Sequence, residues 1–358
     1  MRIGIPKEIK PNEGRVALTP AAVAELVQDG HEVLLQAGAG EPSGYGDDEY
    51  RRAGVRIVPD AATLYGEAEM VLKVKEPQPP EYGLFRSGQL LFSFLHLPTT
   101  VPLARALCER SVTAVAFESL EENGRLPLLA PMSDIAGRLA VQIGATLLHG
   151  YRSGRGLLLG GVEGTEAGTV VVLGAGVAGC SAARAAAALG ARAVVCARRP
   201  EHARALLPAE RIAVEPCEPD AIERAVLGAD LVIGALRVPN GIAPKLVSAA
   251  TVRRMRPGSV IVDVCIDQGG CVETTRPTSY SAPTYVQDGV VHFAVANMPG
   301  AVPRTASQAL SAALLPYARR LAALGARRLA EDDALARAVN VAGGRIVHPE
   351  VAASVAAS

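Results

Sequence analysis

Gly174-Ala-Gly-Val-Ala-Gly179 follows directly on the β-branched apolar run Thr169–Leu173 and opens into an alanine-rich stretch. Glycines at that spacing, between a buried strand and a helix, build a site for a dinucleotide pyrophosphate. The first permits a tight turn, the second lets phosphate reach the backbone, and the third lets helix pack close to strand. The phosphates then sit on unpaired N–H groups at the positive end of the helix. Gly174, Gly176, Val177, Ala178 and Gly179 are the expected cofactor-binding core. The glycine pattern alone is a weak signal; the strand before it and the helix after it make it specific.

A dinucleotide fold turns the other polar residues into candidates for substrate chemistry. In open α/β sheets the ligand lies beyond the carboxyl ends of the strands, and four competent side chains fall there. Arg15 lies in the loop after the first strand. Lys75 ends the run that begins at Met70, His96 ends the run that begins at Leu90, and Asp267 follows Val260-Ile-Val-Asp-Val-Cys-Ile266. Three come from the first domain and one from the second, a placement that would let them face each other across an interdomain cleft. Taken singly, each has a bland reading: a solvated loop arginine, a strand-end lysine in water, a satisfied core histidine, an aspartate that starts a turn. Their shared placement at strand ends marks them as a set.

The elements that must position these residues alternate. Strands are expected at 2–5, 32–36, 55–58, 70–74, 89–95 and 113–117, separated by helical patterns. Thr19-Pro20 starts the first helix and Gly30 stops it. After Pro131 a helix carrying Ile135, Leu139 and Ile143 leads through a glycine-rich stretch, 154–168, to the fingerprint strand. Further strands follow at 192–197, 230–235, 259–264 and 291–296. Strands separated by helices mean βαβ units and parallel sheets. The fold class is α/β, with two doubly wound, Rossmann-like parallel-sheet domains. The tail after Pro303 reads as helical, with one long helix over 309–323 and no strand. It is expected to pack back on the N-terminal part, making that domain discontinuous: 1–128 plus 304–358 as substrate domain, 129–303 as dinucleotide-binding domain.

Composition narrows the class. The 358 residues carry 36 basic and 36 acidic side chains, a formal net charge of zero, which gives no reason to expect a nucleic-acid partner. Aromatic residues are 4% and tryptophan is absent, which argues against base-stacking platforms. The six cysteines show no C-x-x-C spacing, so buried free thiols are expected, no metal is called for, and a reducing, cytoplasmic location follows. The apolar stretch 170–197 could imitate a membrane span, but it would have to bury Arg184 and Arg192. No membrane segment is expected.

At this point the residues carry a resemblance. The chain resembles the family that alanine dehydrogenases share with the nucleotide-binding alpha subunit of nicotinamide nucleotide transhydrogenase. The similarity runs from Met1 to about Pro303, and more loosely through the tail. Its motifs are Ile5-Pro-Lys-Glu8, Glu13-Gly-Arg-Val-Ala-Leu-Thr-Pro20, Leu72-Lys-Val-Lys-Glu-Pro77, Phe94-Leu-His-Leu97, Leu128-Leu-Ala-Pro-Met-Ser133, Ala243-Pro-Lys-Leu-Val247, Asp267-Gln-Gly-Gly270 and Ala296-Asn-Met-Pro299. The resemblance implies reversible oxidative deamination of a small L-amino acid, most simply alanine to pyruvate and ammonia. It implies that Arg15 and Lys75 bind the substrate carboxylate, that His96 and Asp267 are the catalytic acid/base pair, and that Ser133, Asn297 and Met298 line the nicotinamide pocket, with Leu236 also in the cofactor site. It implies a homohexamer. The residue types suit that chemistry. A guanidinium and an ammonium can orient a carboxylate, and histidine beside a carboxylate can move protons near neutral pH.

The chain departs from the family at the end of the second fingerprint strand. An acid that would bind the ribose 2′-OH is expected at Ala197, but the chain reads Ala197-Arg198-Arg199-Pro200. A missing carboxylate and two guanidiniums favour a 2′-phosphate, so NADP(H) is expected over NAD(H), with a solvated basic helix start as the alternative. Arg237 replaces a usually apolar residue. Two rival readings remain within the fold: a saccharopine-type dehydrogenase acting on a bulkier substrate, and a non-catalytic transhydrogenase-type subunit, which generally lacks equivalents of Lys75 and His96.

Overall fold

A computed structural model describes residues 1–208, 210–238 and 241–356. The chain divides into two compact units, Met1–Met132 with Gly300–Ser358, and Ser133–Pro299. Each is a sheet flanked by helices. In chain order the strands are β1 (Arg2–Ile5), β2 (Glu32–Gln36), β3 (Arg56–Val58), β4 (Met70–Leu72), β5 (Leu90–Ser93) and β6 (Thr113–Ala116), then β7 (Thr169–Leu173), β8 (Arg192–Ala197), β9 (Ile212–Pro216), β10 (Leu231–Gly234), β11 (Val260–Asp263), β12 (Thr284–Gln287) and β13 (Val290–Phe293). The tail adds β14 (Val339–Ala342) and β15 (Arg345–Ile346).

The first sheet runs β15-β14-β6-β5-β4-β1-β2-β3 and the second β12-β13-β11-β10-β7-β8-β9. Without the edge strands β12, β14 and β15, both have the same parallel, doubly wound order. The order reverses between the first and fourth strand of each unit, β1 and β4 in one and β7 and β10 in the other. Central strands covered on both faces must be apolar throughout, not alternating. That is why β4, β10 and β11 are buried at every residue. The apolar stretch 170–197 resolves into β7, the helix Val177–Ala188 and β8. No described helix is long and apolar enough to cross a membrane.

Two expectations need correction. The sheets are mixed at their edges: β12 runs antiparallel to β13, β14 to β6, and β15 to β14. The tail is also not strandless. Two-residue turns close both new hairpins, Asp288-Gly289 and Gly343-Gly344, and all four turn residues have positive φ. Turns of that kind match the natural twist of paired strands. β9 is a further strand outside the expected set; its partly exposed pattern gives only a faint apolar signal.

The long tail helix, Pro303–Leu324, does more than cover apolar surface. Its buried Ser307 accepts the Val16 N–H at 3.0 Å, and its Ser311 accepts the Thr19 N–H at 3.0 Å. Ser43 joins them, with its hydroxyl 2.8 Å from that of Ser307 and donating to the Gly14 carbonyl at 2.7 Å. The tail helix therefore braces the loop that carries Arg15. Farther on, Val341 of β14 enters the same core as Leu34, Val71, Leu91 and Ala114.

Candidate active site

In the first unit the loops after β1 and β4 meet at the point where strand order reverses, the place where a doubly wound sheet opens a crevice. Arg15, on the first of these loops, is 2% exposed. A guanidinium buried that deeply needs a counter-charge, and Glu13 supplies it. Its carboxylate takes Nε at 2.7 Å and Nη2 in a two-pronged pair, while Nη1 lies 3.2 Å from the Met132 sulfur.

β4 stops at Leu72, earlier than expected, so Lys73 and Lys75 both lie beyond the strand. Lys73 is fully buried between Glu81, at 2.8 Å, and Glu8, at 3.2 Å. Burial alone would lower its pKa; the two carboxylates overcome this and raise it. Glu8 also accepts the backbone N–H of Val74 at 2.7 Å and of Lys75 at 3.2 Å. The β1 loop thus holds the chain at Lys75 in place. Lys75 itself is buried, with its ammonium 3.2 Å from Glu76 Oε2, and Glu76 Oε1 takes the Lys10 ammonium.

β5 likewise ends at Ser93, and His96 follows in the left-handed region, φ 48° and ψ 38°. A non-glycine residue held there is strained, a feature that clusters at functional sites. Two contacts support it. Glu118 accepts the His96 N–H at 2.6 Å, and the imidazole stacks on Phe94 with centroids 5.9 Å apart. The side chain is about two-fifths exposed.

In the second unit the fingerprint has the geometry that a pyrophosphate requires. Gly174 adopts φ +109°, and a Cβ on Gly179 would come within 1.9 Å of the Gly174 carbonyl oxygen. A Cβ on Gly176, the residue capping the helix Val177–Ala188, would meet nothing within 4 Å. One glycine is needed for the turn and one for packing, while the space beside the third is open. These residues fit a dinucleotide phosphate. Ala197 is buried at the end of β8; Arg198 and Arg199 are exposed and make no ion pair among the described residues. Leu236 is partly buried beyond β10 and Arg237 is exposed.

Asp267 is exposed within the short helix Val264–Gln268, and its turn is tied down from three sides. Asp263 Oδ2 accepts the Cys271 N–H at 2.9 Å and the Thr275 hydroxyl at 2.8 Å, and Oδ1 accepts the Cys265 thiol at 3.0 Å. Gln268 makes a two-way bond with the Val238 backbone, at 3.1 and 2.6 Å. Asp263, Cys265 and Cys271 form the one buried group with metal-ligand spacing among the described residues; their hydrogen bonds give them a structural role. Ser133 is partly buried near the start of the unit. Asn297, at φ 59°, leads into buried Met298, whose carbonyl accepts the Tyr280 hydroxyl at 3.1 Å.

Arg15, Lys75 and His96 thus belong to one unit, and Asp267 belongs with the cofactor set to the other. Sequence reasoning gave no role to Glu8, Glu13, Glu76, Glu118 or Gln268. A signal was present for two of them: Glu13 lies two residues before Arg15 and Glu76 directly follows Lys75. Acids so close to candidate anion-binding cations are obvious partners once both are placed in strand-end loops.

Residues 4–136 match the family model "Alanine dehydrogenase/PNT, N-terminal domain" and residues 140–349 match "Alanine dehydrogenase/PNT, C-terminal domain". The chain is 48% identical to alanine dehydrogenase from Bacillus subtilis, over 98% of this chain and 94% of that protein. A solved L-alanine dehydrogenase structure superposes with a TM-score of 0.95 at 48% identity, covering 100% of this chain and 99% of the other. A transhydrogenase structure from Sinorhizobium meliloti is also similar, with TM-score 0.86 and 27% identity over 97% and 100% of the two chains.

Proposed function

The chain belongs to the alanine dehydrogenase/PNT family, and from that premise we propose that it catalyses reversible oxidative deamination of a small L-amino acid, most simply L-alanine, to the 2-oxo acid and ammonia. The observation that carries this reading is the buried pair Arg15 and Lys75 at the strand-order reversal of the first sheet, with His96 three residues beyond the end of the adjacent β5. The chain is more similar to alanine dehydrogenase than to transhydrogenase, 48% against 27% identity. Lys75 and His96 are also the residues that a purely nucleotide-binding subunit would not need.

In this reading Met1–Met132 with the tail binds substrate and Ser133–Pro299 binds cofactor. Arg15 and Lys75 orient the substrate carboxylate. A bound nicotinamide supplies the hydride acceptor for the substrate Cα–H. His96 takes the proton from the attacking water and returns one to the departing amine, and Asp267 is the second proton-handling group. Gly174, Gly176, Val177, Ala178 and Gly179 hold the pyrophosphate; Ser133, Leu236, Asn297 and Met298 border the nicotinamide end. Arg198 and Arg199 bind a 2′-phosphate, making NADP(H) the preferred cofactor. No metal takes part.

We also propose a homo-oligomer, hexameric by family resemblance, in the cytoplasm. Within the helix Ala130–Leu147, Ile135 and Leu139 are buried in the chain itself and leave no apolar surface for such contacts. Exposed Tyr151, Leu158 and Val162, which follow that helix, support it better. Sedimentation of a monomer at micromolar concentration would count against the assembly.

The deciding experiment follows cofactor absorbance while pyruvate and other 2-oxo acids are offered with ammonia, using NADH and NADPH separately. Turnover with pyruvate is expected. Absence of turnover with every small 2-oxo acid removes the dehydrogenase reading.

A further inference from the structure

The carboxylates around Arg15, Lys75 and His96 are occupied, with one exception. Both oxygens of Glu13 serve Arg15. Glu8 serves Lys73 and the backbone at 74 and 75. Glu81 takes Lys73, the Tyr65 hydroxyl and the Gln78 N–H, and Glu118 takes the backbone at 95 and 96. Glu76 Oε1 takes Lys10. Glu76 Oε2 is buried and receives no hydrogen bond; among the described residues it is the one buried carboxylate oxygen in that state. The Lys75 ammonium lies 3.2 Å from it as an ion pair without directed geometry.

The proposed substrate creates a demand that this oxygen can meet. An α-amino acid brings its ammonium next to the carboxylate that Arg15 and Lys75 would hold. That places a cation among Arg15, Lys75, Lys10 and His96, none of which offers a full negative charge. A desolvated ammonium without an acceptor is costly. We propose that Glu76 binds the substrate nitrogen, accepting an N–H from the amino acid's ammonium in one direction and from ammonia in the other; this rests on the dehydrogenase reading above. Burial would raise the Glu76 pKa, but Lys75 and Lys10, with His96 adding to them, hold it down to about 2. So weak a base cannot strip a proton from ammonium near neutral pH. Glu76 recognises nitrogen, and proton movement is left to His96.

The test is the split between Michaelis constants in Glu76→Gln. The amide keeps the shape but loses the charge that makes this hydrogen bond strong. KM for ammonia, and for L-alanine in the reverse direction, is expected to rise at least about tenfold, while KM for pyruvate stays within about threefold, since pyruvate has no nitrogen to lose. Glu76→Asp keeps the charge for Lys10 and Lys75 but withdraws the oxygen by one methylene. It should show the same split more weakly, and it decides the matter if the glutamine variant does not fold. A parallel rise for pyruvate and ammonia would mean that Glu76 only positions Lys75, and unchanged constants would mean that it does neither; both overturn the proposal. An unsubstituted protein inert toward every 2-oxo acid overturns the dehydrogenase reading itself, so the two failures are distinguishable.

Discussion

The two units share one strand order and fill the resulting crevice in opposite ways. At the reversal between β7 and β10 the chain offers backbone: glycines, a helix start and open space beside Gly176. At the reversal between β1 and β4 it offers buried charge: Arg15 on Glu13, Lys73 between Glu8 and Glu81, Lys75 beside Glu76. The first solution suits a large anion whose phosphates can be met by N–H groups that no helix turn satisfies. The second suits a small zwitterion, whose charges must be matched one by one in a space with little water. One topology supports both, which is why the fold alone says little about activity. Buried ions are costly unless every partner is present, so the charged crevice carries a supporting network that the glycine crevice does not need.

The largest effect should come from the two proposed proton-handling groups. His96→Ala and Asp267→Ala are each expected to lower kcat by about 10²–10⁴-fold while cofactor affinity, followed by fluorescence titration, stays nearly constant. Asp267 is the sharper case, because it lies in the unit proposed to bind cofactor, Ser133–Pro299. If its loss weakens cofactor binding as much as turnover, the division of labour between the units is wrong.

Lys73→Met tests whether the charged crevice depends on its hidden partners. Removing the cation strands Glu8 and Glu81 in the interior, at a cost of about 3–5 kcal/mol to folding. Denaturant titration should show a lowered midpoint, and a change under about 1 kcal/mol would mean that the network is far less buried or more adaptable than its geometry indicates.

A smaller effect is expected at the rim of the glycine crevice. Hydrogen bonds to a charged group contribute about 1.5–3 kcal/mol, enough for tenfold or greater preference for NADP(H) in kcat/KM. Replacing Ala197 by Asp, with Arg198 and Arg199 made neutral, should reverse it. Equal efficiency with both cofactors in the unmodified protein would show the two arginines to be a solvated helix start.

The smallest effect concerns pH. His292 of β13 is buried, with Nε2 2.7 Å from the Thr274 hydroxyl and Nδ1 3.0 Å from the Val290 carbonyl. Burial lowers its pKa below 6.5. The unfolded chain then binds more protons than the folded one between that lowered value and 6.5, so the neutral histidine stabilises above pH 6.5 and this stability is lost as pH falls. Thermal unfolding should therefore be more sensitive to acidification from pH 7 to 5.5 in the unsubstituted protein than in His292→Gln. His31, in the first unit, shifts the same way but is much less buried.

Local order decided what could be read in advance. The fingerprint, the first helix start at Thr19-Pro20 and most central strands are written in residues within a few positions of one another, where backbone preference and apolar periodicity act directly. The two overlooked hairpins were equally local: Asp288-Gly289 and Gly343-Gly344 are strong turn signals between β-prone residues. Their strands give little apolar signal, because β12 is largely exposed and β15 is only two residues long.

The amino-acid sequence by itself therefore determined the doubly wound architecture, the glycine turn and the place of Arg15, Lys75, His96 and Asp267 in the segments that follow strands. It also determined the family, through motifs spread along most of the chain. What only the tertiary structure decided is the company those residues keep. Lys10 and Glu76 are 66 positions apart, and Val16 and Ser307 are 291 apart; such pairs exist only once the sheet has closed and the tail has returned to it. Burial is what gives them force. In water Glu13, Glu8 and Glu76 would each be an ordinary solvated acid, whereas in the folded crevice every buried charge must find a partner, and Glu76 Oε2, among the described residues the one buried carboxylate oxygen without a hydrogen bond, is where we propose that the substrate nitrogen binds.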